Sequence, residues 1–191
     1  MRRWTGVLSL AALGLIACRS ASLPPQPWTT VTVTSGPASG LEDGQIAELA
    51  NSMDVQQIEA ARLGVLRAAD PDARDFARAL LDECKRLRGD GLGLLEERGI
   101  ALEASSVSEQ YEVGAREELA ALGNQPPSLF DRAFVESQIA AETRQLELLD
   151  HLLAPAARDG RLRADLARRR RTLVQRRGEA EHLLVARFPR Q

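Results

Sequence analysis

The sequence predicts an all-α fold, a four-helix bundle with one short connecting helix, preceded by a disordered tether. Three observations predict it. Ala, Leu, Glu and Arg are abundant while aromatic residues make up only 4% of the chain, a composition that favours helices over sheets. From Asp43 onward apolar residues recur near helical spacing. Helix breakers at Pro71, Gly99, Pro126-Pro127, Pro155 and Pro189 then cut that stretch into segments of bundle length.

The first 17 residues read as a separate, cleaved segment. Arg2 and Arg3 precede an apolar stretch from Val7 to Ala17, followed by Cys18. A basic start, an apolar middle and a small residue at the cut make a secretory signal. The stretch is too short to cross a bilayer, which takes roughly 20 helical residues. Leu15-Ile16-Ala17-Cys18 resembles a bacterial lipobox, in which the cysteine is acylated and becomes the first mature residue. Arg19 stands where an aspartate would favour inner-membrane retention. The expected location is therefore the cell envelope: lipid-anchored at the outer membrane and facing the periplasm. Residues 18–42 hold Pro24, Pro25, Pro27 and Pro37 among Ser, Thr and Gly, a composition that buries little. Fully extended, such a tether of about 24 residues reaches roughly 80 Å. Thr29 to Thr34 alternates like a strand, with no partner strand elsewhere in the sequence.

The bundle domain is expected over 43–188. A first helix over 43–69 carries Ile46, Leu49, Met53, Ile58, Ala61 and Val65 near helical spacing. Asp70-Pro71-Asp72 stops it and starts the next, with a cap, a proline at the first position and acid in the first turn. The second helix runs to about Arg98, and Gly99 supplies a left-handed cap. Ser106 and Glu109 have capping-box spacing for a shorter helix ending near Gly123-Asn124. Ser128 with Asp131 opens a third long helix, to about Ala154, stopped by Pro155. The last long helix spans 159–187.

Composition limits function. Removing residues 1–17 removes two arginines and no acids, so the net charge moves from −2 to −4. Mild acidity excludes a dedicated nucleic-acid binder, whose backbone contacts need a basic surface. With Cys18 lipidated, Cys84 has no intrachain partner, so stability must come from packing. No glycine-rich phosphate loop or zinc-type spacing is present, and two histidines without supporting spacing assemble no nucleophile–base arrangement.

The sharpest chemical feature is two glutamates on apolar seams. Phe76, Leu80, Leu87 and Leu94 form a 4-3-4 seam that passes through Glu83, and Val135, Ile139, Leu146, Leu149 and Leu153 form another through Glu142. A buried carboxylate needs a partner. Glu179 and His182 have the Glu-x-x-His spacing of di-metal bundles, and Glu59 follows the apolar Ile58. One reading brings Glu59, Glu83, Glu142, Glu179 and His182 together on iron or manganese. The other places Glu83 and Glu142 at the seam edge, with Cys84 and Ala141 inward, or opposite inward-facing arginines. Arg168 to Arg171 cover every face of their helix, so at least one must approach the interior. His151 reads as exposed or capping, and Cys84 as a small buried hydrophobe whose thiol has only Lys85 and Arg86 nearby to lower its pKa.

Gln57-Ile58-Glu59, Ala69-Asp70-Pro71, Asp75-Phe76-Ala77 and Leu81-Asp82 resemble the first helix pair of a secreted bacterial family called domain of unknown function 4142. Phe130-Asp131-Arg132-Ala133-Phe134 resembles that family's marker at the start of its third helix, and His182-Leu183 its closing His-Leu. The resemblance covers about 43–187. It implies a ferritin-like four-helix fold, export to the envelope and no established activity. Members usually carry histidine after the aspartate matching Asp82 and at the place of Glu142. Glutamates stand at both positions here, and His182 is kept. The functional expectation is a non-catalytic interaction or structural module, bound to the membrane through Cys18 and to a protein partner the sequence does not name. The alternative is a metal-binding ferritin-like protein.

Overall fold

The computed structural model describes residues 40–189. The expected signal segment, Cys18 and the tether up to residue 39 lie outside them. The described residues form an all-α bundle of α1 (Asp43–Arg67), α2 (Pro71–Arg98), α3 (Ser106–Gly123), α4 (Pro127–Leu148), a π-helical turn (Leu149–Leu153), a stub α5 (Ala154–Ala156) and α6 (Gly160–Arg187). The long helices α1, α2, α4 and α6 make the bundle, and α3 lies against α1 and α4.

The helix boundaries follow from local chemistry. Asp70 caps α2 by accepting from the amides of Asp72 and Ala73, with Pro71 at the first helical position. Gly99 ends α2 at φ 65°, the left-handed conformation that costs glycine least. Asp159 caps α6 by accepting from the amides of Arg161 and Leu162. Arginines close helix C-termini: Arg74 donates to Ala68 O, and Arg67 donates to Gly123 O and Gln125 O while its guanidinium lies 4.5 Å over the Phe130 ring.

Three boundaries differ from the sequence reading. The cap of α3 is Ser105, one residue earlier than expected, in a box with Ser108 rather than Glu109. Proline opens α4 without a side-chain cap. Asp131 instead accepts from the amides of Ala69 (2.9 Å) and Asp70 (2.7 Å), so it clasps the α1–α2 turn. Asp43 does the same at the other end of α1, accepting from the amides of Arg158 and Asp159. Finally, Pro155 does not stop its helix at Ala154. Its ring cannot donate to the carbonyl four residues back and would crowd it. The turn before it widens to π geometry, Ala154 N donating to Leu149 O, and the chain continues to Ala156.

The apolar core falls into two clusters. One gathers Ile46, Leu49, Met53, Leu149, Leu153 and Leu166. The other gathers Ala61, Ala77, Leu80, Phe130, Phe134 and Ala180. Phe134 stacks on Phe130 and meets Phe76 edge-on. A β-carbon added at Gly64 would sit 2.5 Å from the Phe134 ring and 2.8 Å from Ala77, so α1 approaches its neighbours there as only glycine allows. Asp54, Gln57, Gln138, Glu142, Gln145, Asp165, Arg169 and Arg176 are buried polar side chains belonging to neither cluster.

Candidate functional site: a polar mid-section with two buried arginines

The buried face of α6 steps 4-3-4-3-4 through Leu162, Leu166, Arg169, Leu173, Arg176 and Ala180. Two positions of this apolar seam are therefore arginines, two turns apart. Each must find partners, because an unpaired buried charge is costly.

Arg169 finds a complete set. Its Nε donates to Asp165 and Nη1 to Asp54, both at 2.6 Å, and Nη2 donates to Leu87 O at 3.2 Å. Burial pushes the Asp54 carboxyl above its usual range, with Arg169 pulling it back. Asp165 also accepts from Arg168, which reaches outward to Asp90. The guanidinium fits because Gly91 leaves room on α2: a β-carbon there would be 2.4 Å from Arg169 Nη2. A cavity of about 20 Å³ beside Asn51, Asp54, Arg88 and Arg169 has room for roughly one water.

Arg176 is less well served. Its Nη1 donates to Cys84 Sγ at 2.9 Å, and its Nε lies 3.2 Å from Glu142 and 3.8 Å from Glu83. Glu142 is fully buried, and neither of its oxygens has a hydrogen-bond partner; the same holds for Gln57 Nε2, Gln138 Oε1 and Arg176 Nε. Burial raises the Glu142 carboxyl to about 8, Arg176 drawing it down and Glu179 and Glu83 pushing it further up. Burial likewise raises the Cys84 thiol to about 11, despite Arg176. That cation comes from α6, not from Lys85 or Arg86 as the local sequence suggests.

Of the five residues proposed from sequence, Glu83 and Glu142 are brought to one group, Arg176 Nε. Glu142 lies on the seam as expected. Glu83 is turned toward the rim, its side chain 30% exposed, and Cys84 takes the inward place. Small residues explain this shift. The buried face of α2 runs through Ala73, Ala77, Leu80, Cys84, Leu87, Gly91 and Leu95, keeping Leu80 and Leu87 of the expected seam but taking Ala77, Cys84 and Leu95 in place of Phe76, Glu83 and Leu94. Glu59 pairs with Arg62 at the surface. Glu179 and His182 are exposed, with Glu179 accepting from Gln175. Among the described residues, no three His, Cys, Asp or Glu side chains are grouped so as to hold a metal ion. The ligand set read from sequence does not fit iron or manganese here, since Glu83 and Glu142 face the Arg176 guanidinium while Glu59, Glu179 and His182 lie at the surface.

Arg169 is the inward member of the arginine run. Arg176 lies outside that run, and the signal that marks it as inward is its place on the 4-3 repeat of α6. His151 is exposed, and its neighbour Asp150 pairs with Arg170.

A family model described as Domain of unknown function (DUF4142) matches residues 29–183. No curated protein and no solved structure matches the chain. The match spans α1 to α5 and most of α6, including Asp54, Glu142, Asp165, Arg169 and Arg176. This chain belongs to the DUF4142 family, whose bundle it builds here around two buried arginines.

Proposed function

We propose that this protein is a lipid-anchored helical module of the cell envelope, held through Cys18 at the outer membrane and facing the periplasm. Its role in this reading is a non-catalytic one, interaction or envelope structure. The observation that carries the location is the run Leu15-Ile16-Ala17-Cys18 behind Arg2, Arg3 and an apolar stretch. The non-catalytic reading is supported by the mid-section, where the buried acids Asp54 and Glu142 face arginines across helices. No described helix is long and apolar enough to cross a membrane, so attachment in this reading rests on the acyl chains. A single chain binds only marginally, whereas several together anchor stably. The proposed partners are the membrane and a protein, with no nucleic acid.

Mass spectrometry of the membrane fraction tests the anchor. The expected species begins at Cys18 and carries acyl mass, and Cys18→Ser moves the protein to the soluble fraction. A free amino group at residue 18, or a chain still beginning at Met1, overturns the reading.

A further inference from the structure

Gln57, Glu142 and Arg176 approach one level of the bundle. Gly64 faces Ala77 on α2 and Phe134 on α4. Gln57 lies two turns before Gly64, Cys84 two turns after Ala77, and Glu142 about two turns after Phe134. In helices running antiparallel to α1, these fall at the same height. Arg176 enters that level from α6, touching Cys84 and Glu142. Gln138 lies one turn before Glu142 on α4, where i and i+4 side chains are neighbours.

Within this layer several buried atoms lack partners: the donors Gln57 Nε2 and Arg176 Nε, the acceptor Gln138 Oε1, and both oxygens of Glu142. An ionised Glu142 offers acceptors only, and a buried carboxylate with no hydrogen bond is strongly disfavoured. A protonated Glu142 brings a donor into this layer, where Gln138 Oε1 lacks one, and keeps an acceptor toward Arg176 Nε at 3.2 Å. Charge balance permits this, because Arg176 retains Glu83 as a second carboxylate at 3.8 Å.

We propose that Glu142 is a proton-holding site at the centre of the bundle: its buried carboxyl, without a hydrogen-bond partner, is held neutral, and its ionisation costs the fold stability. The charged and titratable groups around it are Glu83 and Cys84 on α2 and Arg176, Arg177 and Glu179 on α6. Asp54 on α1, one layer away, raises the Cys84 thiol and is itself drawn down by Arg176. Burial favours the neutral carboxyl and raises its pKa from 4.5 to about 8. The folded protein then binds more protons than the unfolded chain between those values. Stability from this group is full below about pH 4.5, falls as pH rises through 8, and is level above.

Two measurements test the site. Carbon-13 NMR of the glutamate side-chain carboxyls, with Glu142 assigned by its loss in Glu142→Gln, should show one midpoint near pH 8, apart from the other glutamates. Urea unfolding from pH 5 to 9 should show the folding equilibrium constant dropping on the order of a thousandfold more in the native chain than in Glu142→Gln. A Glu142 midpoint in the ordinary carboxylate range, or equal pH dependence in both proteins, overturns the proposal. Because glutamine mimics the neutral carboxyl, failure of Glu142→Gln to fold at pH 6 overturns it too.

Discussion

At the scale of single residues, burial and partner count separate arginines that the sequence presents as equivalent. Arg168, Arg169, Arg170 and Arg171 are consecutive, yet Arg169 alone of the four is buried, held by Asp54, Asp165 and a backbone carbonyl. Arg170 pairs with Asp150 in solvent, where an ion pair adds little. Truncating Arg169 leaves the buried Asp54 without its hydrogen-bonded cation, while Asp165 keeps Arg168. Arg169→Met is expected to cost about 3–5 kcal/mol in urea unfolding, whereas Arg170→Ala should leave the midpoint nearly unmoved. Similar midpoints for the two variants would contradict the pairing. Sequence reasoning required one of these four arginines to turn inward, because helical geometry leaves no face uncovered. Which one it is depends on Asp54, distant in sequence, and on the room left by Gly91.

At the scale of elements, caps and breakers made the helices legible. The start of α2 at Pro71 and its end at Gly99 follow from backbone chemistry within a few residues. Seam phase was legible on α4 and the π-helical turn after it, where Val135, Glu142, Leu146, Leu149 and Leu153 are buried as expected. On α2 Leu80 and Leu87 are buried as expected, and Cys84 takes the inward place beside an edge Glu83. Ala77 and Leu95 replace Phe76 and Leu94, because close helix contact there uses alanine and glycine, whose small side chains give a weak apolar signal. The role of Asp131 was not legible either, since its partners are amides on another turn. Two glycines make the same contrast measurable. Gly64→Ala sets a methyl against Phe134 and Ala77 and should destabilise by about 1–3 kcal/mol. Gly89→Ala meets nothing within 4 Å and should stabilise α2 by about 0.5–1 kcal/mol. Thermal melts of both variants check the pair, and a stabilised Gly64→Ala would refute the close approach.

At the scale of the whole molecule, two apolar clusters are divided by a polar band that contributes no hydrophobic burial. Such a band is a poor source of stability, because desolvating its charges opposes what their pairing returns. Its plausible gain is register. Sliding α6 by one heptad would move Arg169 into the level of Arg176 and leave Asp54 without a cation, so the charges disfavour a shift that apolar seams alone tolerate. Replacing the whole triad separates the two effects. In Asp54→Leu, Asp165→Leu, Arg169→Met no buried charge of this set remains, and Arg168 keeps Asp90 as a partner. This triple variant should therefore recover the loss of Arg169→Met alone and match or exceed the native protein, by up to about 4 kcal/mol. Register is read separately, from amide NMR spectra: one set of sharp resonances in the native chain, and broadened or doubled resonances along α6 in the triple variant. A triple variant less stable than the native protein would show that the triad contributes net stability. A single sharp spectrum would show that the apolar seams set the register unaided.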